Sequence, residues 1–250
     1  MKGVILAGGL ATRLRPLTLV TNKHLLPVYN KPMIYYPLEM MKKVGMKEVL
    51  LVTSGDHVGD FANLLKSGDE FGFRLYYAIQ NNPTGGIADA MALAEEFSHN
   101  QSVLVILGDN IFNFDLKASI DRFEQSQKKE KKAAMVFGVK RSTDVRQYGV
   151  IEMDPSGKVI SIEEKPENPK SDIVQTGIYA YDQQVFDIVR KLKPSDRGQL
   201  EVTDVNNVYL SEGALSCELI DWWVDAGTSH DELLLANVQV AERVKEGKFS

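Results

Sequence analysis

Cysteine is nearly absent from this sequence of 250 residues, which contains a single cysteine, Cys217, and four histidines. One cysteine cannot form an internal disulfide, and the scattered histidines lack the spacing of a zinc site. No apolar run approaches the roughly 18 residues that a membrane span requires. The apolar run 3–7 is followed by glycines and arginines, which is not the layout of a signal peptide. These absences predict a cytoplasmic protein that does not bind a membrane.

Excess positive charge is also missing, since the formal net charge is −5. Proteins that bind nucleic acid generally need clustered positive charge against the phosphate backbone, so nucleic acid is not an expected partner. Hydrophobic residues make up 44% and charged residues 25% of the chain, which is the composition of an ordinary globular protein. The length favours one large α/β domain over two independent domains.

Short apolar runs alternate with helical patterns in the first half of the chain. The runs have the composition of strands buried on both faces, and they are Gly3–Ala7, Glu48–Thr53, Leu75–Ile79 and Val103–Leu107. Apolar residues at helical spacing predict helices between them, at Ile34–Val44, Gly59–Leu65 and Ala88–Phe97. Such βα alternation predicts a Rossmann-like, mainly parallel sheet flanked by helices.

The second half of the chain changes character. Asp154-Pro155-Ser156-Gly157 is a turn signal between two strand-like runs, which predicts an antiparallel hairpin over 148–162. The other predicted strands are 133–139, 173–181 and 215–220, and the other predicted helices are 116–127, 184–192, 202–211 and 229–245. The charged run 128–132 is interpreted as a solvated connection. The fold class is therefore a mixed α/β sheet with an inserted antiparallel substructure.

A glycine-rich loop follows the first predicted strand directly. Gly8 and Gly9 let the backbone approach a phosphate closely, and Arg13 is the natural cation beside it. The spacing is not Gly-x-Gly-x-x-Gly, and no Gly-Lys-Ser/Thr follows, so both the dinucleotide fingerprint and the P-loop are disfavoured. Taken alone, the loop is equally consistent with a turn that carries a surface arginine.

The run from Gly8 to Thr18, with Asn22–Val28 and Lys31–Ile34, resembles the signature of the glucose-1-phosphate thymidylyltransferases. The resemblance extends from the N-terminus to about residue 228. It implies one nucleotidyltransferase domain over 1–250, with a nucleotide-binding half at about 1–139, a sugar-binding half at about 140–228 and a C-terminal helix at about 229–246. Ala11 departs from the glycine that is usual in the family, and His24 departs from the glutamine of many members.

The resemblance also implies roles for the residues of the first half. Leu6, Gly8 and Gly9 line the nucleotide site, Arg13 holds the triphosphate, and Lys23 neutralises phosphate charge. Gln80, with Gly85 or Gly86, occupies the position that recognises thymine, and a glutamine amide can both donate to and accept from the edge of that base. Asp89 is interpreted as a carboxylate at a helix start and not as a catalytic group.

Candidate sugar contacts occur in the second half, at Tyr148, Gly149, Glu164, Lys165 and Gln175. The resemblance implies that Lys165 binds the sugar phosphate, while Glu164, Gly149 and Gln175 contact the sugar and Tyr148 shapes the pocket. Adjacent side chains of a regular strand point to opposite faces, so Glu164 and Lys165 can share a ligand only at an irregular strand end. Pro166 favours such an end. Roles within the stretch 197–206 stay open.

Two aspartates complete the expected site. Asp109 follows the fourth apolar run, and Asp225 stands in Trp223-Val224-Asp225-Ala226-Gly227-Thr228. Without the resemblance, the residues favour a turn cap at Asp109 and a cap of the last helix at Asp225 over a metal site. The resemblance places both aspartates at the family's metal positions, and Mg²⁺ prefers oxygen ligands and needs only one or two protein carboxylates.

The expected function is therefore Mg²⁺-assisted condensation of dTTP with glucose 1-phosphate, which releases pyrophosphate. A transferase that uses UTP or CTP, and a non-catalytic homologue that senses nucleotide sugars, are the alternatives. A nicotinamide dehydrogenase is disfavoured by the missing fingerprint. The resemblance implies a homotetramer.

Overall fold

The computed structural model describes residues 1–130 and 132–249. Its strands are β1 Lys2–Ala7, β2 Pro27–Val28, β3 Lys31–Pro32, β4 Glu48–Ser54, β5 Arg74–Gln80, β6 Val103–Leu107, β7 Asn110–Phe112, β8 Ala134–Lys140, β9 Gly149–Met153, β10 Val159–Glu164, β11 Ile173–Tyr181, β12 Leu215–Leu219 and β13 Trp223–Asp225. Its α-helices are α1 Tyr35–Val44, α2 Val58–Leu65, α3 Ile87–Ala92, α4 Glu95–Ser98, α5 Leu116–Lys129, α6 Val185–Val189, α7 Val202–Ser211 and α8 His230–Lys245.

One nine-stranded sheet runs through the described chain. Its main path is β10-β9-β11-β6-β1-β4-β5, and β8 joins β11 to β12. The strands β6, β1, β4 and β5 are parallel neighbours, whereas β9, β10 and β11 pair antiparallel. The predicted fold class, a mainly parallel sheet flanked by helices with an antiparallel substructure, is confirmed.

The long strand β11 divides the sheet. Along one of its edges, residues 178–181 pair with β6 and Val174 pairs with β9. Residues 175–177 lie between these two partners, at the level where β6 ends. The sheet therefore opens at the carboxyl end of β6, which is the edge where open α/β sheets place their ligands.

Both faces of β1, β4 and β6 are buried. The run Leu75–Ile79 differs from its prediction, because β5 is the edge strand of the sheet and is only partly buried. Ile5 belongs to the apolar cluster that includes Leu38 and Phe123, while its neighbour Val4 belongs to the cluster that includes Met91 and Val205. Successive residues of a strand point to opposite faces, so the continuous apolar run of β1 serves both clusters. A smaller third cluster joins α8 to the short strands β2, β7 and β13.

Most predicted elements are present, and two helices differ from their predictions. The helix predicted at 88–97 is divided into α3 and α4, because Leu93 and Ala94 form tight i to i−3 hydrogen bonds to Ala90 and Met91. The helix predicted at 184–192 is the shorter α6. In the charged run, α5 continues to Lys129, and residue 131 lies outside the described residues, as does residue 250.

Two short antiparallel ribbons were not predicted. One joins β2 to β3, and the other joins β7 to β13 with Asp225 paired opposite Asn110. Strands of two or three residues are too short to show an alternating pattern. Across the described part of the chain, no helix is both long and apolar enough to cross a membrane.

Candidate active site

A cleft of about 470 Å³ lies at the opening of the sheet, and a side chamber of about 280 Å³ adjoins it. Fourteen of the fifteen predicted site residues line one or both spaces. They are Leu6, Gly8, Gly9, Arg13, Lys23, Gln80, Gly86, Asp109, Tyr148, Gly149, Glu164, Lys165, Gln175 and Asp225. Gly85 lies between the lining residues Thr84 and Gly86 but does not line either space itself.

The glycine loop leaves β1 in a conformation that explains its composition. Gly9 has a φ of +92°, and Ala11 has a φ of +47° in the left-handed region. The Thr18 hydroxyl donates to the Ala11 carbonyl at 2.8 Å and holds this turn. The β-carbon of a non-glycine residue is sterically strained in the left-handed conformation. Glycine would therefore adopt the conformation of Ala11 at a lower steric cost than alanine does.

Gln80 closes the side chamber at the end of β5. Its Nε2 donates to Asp89 Oδ2 at 2.8 Å, so Asp89 orients the amide from the first turn of α3. A β-carbon added at Gly8 would lie 2.6 Å from Gln80 Oε1. The backbone of the glycine loop thus approaches the glutamine as closely as only glycine permits.

The turn before α3 is joined to the loop before α7. Leu200 N donates to the Gly85 carbonyl at 2.8 Å, and the Leu200 carbonyl accepts from Ala88 N at 3.2 Å. Gly86 has a φ of +95°, and an added β-carbon would lie 2.5 Å from the Leu200 carbonyl oxygen. Gly85 and Gly86 therefore bring the loop 195–201 against the side chamber.

Lys23, Asp109 and Asp225 form a charged cluster in the cleft. Lys23 Nζ donates to Asp109 Oδ2 at 2.5 Å. Asp225 reaches the same place because β13 pairs with β7 and Ala226 N donates to the Asp109 carbonyl at 3.0 Å. The strand pairing, and not the order along the chain, brings the two aspartates together.

The charges of this cluster act on one another strongly. Burial by itself lowers the pKa of Lys23, but the carboxylates of Asp109 and Asp225 outweigh burial and raise it. Burial by itself raises the pKa of Asp109, but the charge and hydrogen bond of Lys23, together with His24 and the hydrogen bond from Asn110, outweigh burial and lower that pKa. Burial and the charge of Asp109 together raise the pKa of Asp225. Two close carboxylates with one cation between them leave negative charge uncompensated.

Asn110 connects the charged cluster to the long strand β11. Its Oδ1 accepts from Gly177 N at 2.7 Å and from Trp223 Nε1 at 2.5 Å, and its Nδ2 donates to Asp109 Oδ1 at 3.0 Å. The amide is fully buried. Sequence reasoning missed this residue, although its place directly after Asp109 at a strand end was a usable signal.

Glu164 and Lys165 reach one cavity because the strand ends between them. Glu164 is the last residue of β10, and Lys165 has a left-handed φ of +46°. The predicted irregular strand end is confirmed. The Thr203 hydroxyl donates to Glu164 Oε2 at 2.6 Å, so the first turn of α7 holds the carboxylate. Burial, with the nearby Arg197 guanidinium, lowers the pKa of Lys165.

The stretch that sequence reasoning left open also lines the site. Arg197 Nη2 donates to both carboxylate oxygens of Glu201 at 2.9 Å and lies 3.3 Å from Glu164 Oε1. Arg197 and Gln199 line the side chamber. This loop therefore adds a cation and an amide that the motif pattern did not single out.

Tyr148 is positioned from the side of the C-terminal helix. Its ring makes an edge contact with Trp223, and the Arg141 guanidinium lies 5.1 Å from the ring centre. Arg141 in turn donates to Glu232 of α8 at 2.8 Å. The ion pair and the two rings connect α8 to the wall of the cleft.

Comparison with known proteins identifies the family. The nucleotidyl transferase family model matches residues 2–243. A glucose-1-phosphate thymidylyltransferase from Neisseria gonorrhoeae is 44% identical to the chain over 91% of the chain and 78% of its own length. One from Actinoplanes is 42% identical over 99% of the chain and 80% of its own length. A solved structure from Bacillus anthracis, assigned as a glucose-1-phosphate thymidylyltransferase and bound to sucrose, superposes with a TM-score of 0.89 at 44% identity over 96% of this chain and 94% of that one. A UDP-glucose pyrophosphorylase with bound UDP-glucose superposes at 0.84 with 22% identity, covering 97% of this chain and 98% of that one, which shows the shared fold.

Proposed function

Because this chain belongs to the nucleotidyl transferase family, we propose that it condenses dTTP with glucose 1-phosphate to give dTDP-glucose and pyrophosphate. The observation that carries the proposal is one cleft in which the glycine loop, the Lys23 cluster and Lys165 face a common space. The thymidylyltransferases that are 42–44% identical to the chain support the choice of nucleotide and sugar.

The proposed reaction needs no covalent enzyme intermediate. The phosphate oxygen of the sugar attacks the α-phosphorus, a new O–P bond forms, and the bond from that phosphorus to the departing pyrophosphate breaks. Both substrates are anions, so the protein must align them and offset their repulsion. Arg13 and Lys23 would act on the triphosphate, and Lys165 would act on the sugar phosphate.

The glycine loop and Gln80 would hold the nucleotide. The backbone of Gly8 and Gly9 can approach the phosphates closely, and Gln80, oriented by Asp89, would read the edge of thymine. Tyr148, Gly149, Glu164 and Gln175 would enclose the sugar.

The carboxylates of Asp109 and Asp225 suit Mg²⁺, because both are oxygen donors in a cluster whose negative charge exceeds that of its one lysine. Within residues 1–130 and 132–249 there is no group of three or more metal-binding side chains, so substrate and water oxygens would complete the shell. When bound, Mg²⁺ would offset charge on the phosphates and on the departing pyrophosphate.

Pyrophosphate release tests the proposal directly. The purified chain is assayed with glucose 1-phosphate and dTTP, UTP or CTP, each with Mg²⁺ and with a chelator. We expect release with dTTP to be fastest and to require the metal. Faster release with UTP or CTP would favour that alternative, and no release with any of them would favour a non-catalytic homologue.

The proposed homotetramer, the division of the domain near residue 139 and the cytoplasmic location stay predictions. Light scattering on the purified chain measures the oligomeric state. A mass near four times 27.9 kDa is the expected result.

A further inference from the structure

Gln175 lines the cleft, and a chain of buried side chains holds its amide from behind. Asn206 Nδ2 lies 2.8 Å from Gln175 Oε1, and Asn206 Oδ1 lies 2.6 Å from the Tyr181 hydroxyl. Asn206 and Tyr181 are fully buried, and Gln175 is 7% exposed. These three side chains, the amide relay, lead from the core between β11 and α7 to the cleft.

The hydrogen of the tyrosine sets the direction of the amide relay. Burial raises the pKa of Tyr181 well above its ordinary value, so its hydroxyl carries a hydrogen that needs an acceptor. Within residues 1–130 and 132–249, Asn206 is the hydrogen-bond partner of this hydroxyl. Tyr181 therefore donates to Asn206 Oδ1, because the reverse would leave a buried hydroxyl hydrogen unpaired at a cost of about 1–3 kcal/mol.

The direction propagates to the cleft. Because Asn206 Oδ1 accepts from Tyr181, Asn206 Nδ2 points toward Gln175. Gln175 must therefore accept this hydrogen bond with Oε1. Gln175 Nε2 then faces away from Asn206, 3.5 Å from the β-carbon position of Gly149 and 3.4 Å from the Tyr179 hydroxyl. An amide nitrogen has two hydrogens and accepts none, so Gln175 presents a donor.

We propose that Tyr181 and Asn206 are positioning residues that fix Gln175 as a hydrogen-bond donor, so that the cleft selects a sugar with an acceptor oxygen at the carbon facing Gln175. The inference rests on the proposed function, because it takes the ligand beside Gly149 and Glu164 to be the sugar. Glu164 is an acceptor, so the two side chains offer opposite polarity to different hydroxyls.

A panel of substrate analogues tests whether Gln175 presents a hydrogen-bond donor or an acceptor to the sugar. Deoxy and deoxyfluoro forms of glucose 1-phosphate are compared at each carbon, since fluorine can accept a hydrogen bond but cannot donate one. The carbon facing Gln175 is the one at which the deoxy substrate loses activity with wild-type enzyme but not with Gln175→Leu. At that carbon we expect the deoxy substrate to lose about tenfold in kcat/KM, and the fluoro substrate to recover much of the loss.

Asn206→Asp tests the amide relay. Aspartate cannot donate to Gln175, so the Gln175 amide should turn over and present Oε1 to the sugar. The fluoro substrate should then lose its advantage over the deoxy substrate, while the KM for glucose 1-phosphate rises and kcat changes less. Tyr181→Phe removes the hydroxyl that fixes the Asn206 amide, so this variant should also weaken the preference for the fluoro over the deoxy substrate. It provides a second test if the aspartate variant does not fold. The matched control is Asn207→Asp on the same helix, where Nδ2 donates to the Ile162 carbonyl instead.

Equal losses for deoxy and fluoro substrates at every carbon, or an unchanged preference in folded Asn206→Asp and Tyr181→Phe, would overturn the proposal. Failure of the proposed function looks different, because wild-type enzyme would then not convert glucose 1-phosphate at all. In that case neutron diffraction on deuterated crystals decides. Deuterium on Asn206 Nδ2 directed at Gln175 supports the amide relay, and deuterium on Gln175 Nε2 directed at Asn206 contradicts it.

Discussion

The two sides of the cleft position their groups by different means. On the glycine-loop side, residues 6–13 and 80–86 span the carboxyl ends of the parallel strands β1 and β5 and the loops after them, and close backbone approaches shape the space. On the antiparallel side, Glu164 and Gln175 are held by side-chain hydrogen bonds from Thr203 and Asn206 of α7. The first side should therefore be sensitive to an added β-carbon, and the second to a lost hydrogen bond.

The charged cluster lies where the two sides meet, and breaking it should have the largest effect. Asp225→Asn removes one proposed metal ligand, so turnover should fall by about a hundredfold or more. The fold should survive without metal, because the change removes one of two carboxylates that repel each other. Pyrophosphate release and thermal unfolding measure the two effects, with exposed Asp221→Asn as control. Near-normal turnover in the folded variant would exclude the paired-aspartate site.

Gly86→Ala tests the glycine-loop side. The new β-carbon would meet the Leu200 carbonyl at 2.5 Å in a left-handed conformation, so the turn must shift. We expect the kcat/KM for dTTP to fall by about tenfold, because a shift of the turn displaces the nucleotide contacts. Gly72→Ala is the control for a positive φ without a close neighbour, since its φ is +75° and nothing lies within 4 Å. Its ψ of 22° is in the αL region, where alanine is less strained than at the ψ of 177° of Gly86. If the two changes lower the kcat/KM for dTTP equally, the close approach of Gly86 to Leu200 is not the cause of the effect.

Thr203→Val tests the antiparallel side. It removes the hydroxyl that donates to Glu164 Oε2 at 2.6 Å while keeping the shape of the side chain. The KM for glucose 1-phosphate should rise about threefold to tenfold, consistent with one lost hydrogen bond to a charged group. The KM for dTTP should hardly change. Ser211→Ala on the same helix loses an exposed hydroxyl contact and serves as control. A larger rise in the KM for dTTP than in the KM for glucose 1-phosphate would contradict the distinction between the two sides of the cleft.

Ala11→Gly should have the smallest effect and sharpens the account of the glycine-loop side. Glycine relieves the left-handed strain at φ +47° but has more freedom when unfolded, so the gain in unfolding free energy should be at most about 1 kcal/mol. His99→Gly, at φ +49° and outside the cleft, should give a similar gain. If the loop geometry also matters for binding, Ala11→Gly alone should lower the KM for dTTP, as steady-state kinetics would show.

The sequence predicted the parts of the molecule that depend on local pattern. The continuous apolar run of β1 indicated burial on both faces, and α7 begins and ends where its periodicity placed it. The glycine loop and Asp109 lie at the carboxyl edge of the parallel strands, as their place after β1 and β6 indicated. The resemblance then selected residues that line the cleft or the adjoining side chamber, with Gly85 just outside both linings.

What the tertiary structure alone decided is how distant segments meet. Asp225 lies beside Asp109 because of a three-residue ribbon too short to show a pattern, and Arg197 reaches Glu164 because Leu200 binds the turn at Gly85. The direction of the Gln175 amide depends on a buried tyrosine hydrogen in the core. Periodicity records which face of an element is buried, but it carries no information on which loops approach each other or how an amide is turned. Those contacts are fixed by packing and by the need to pair every buried polar group.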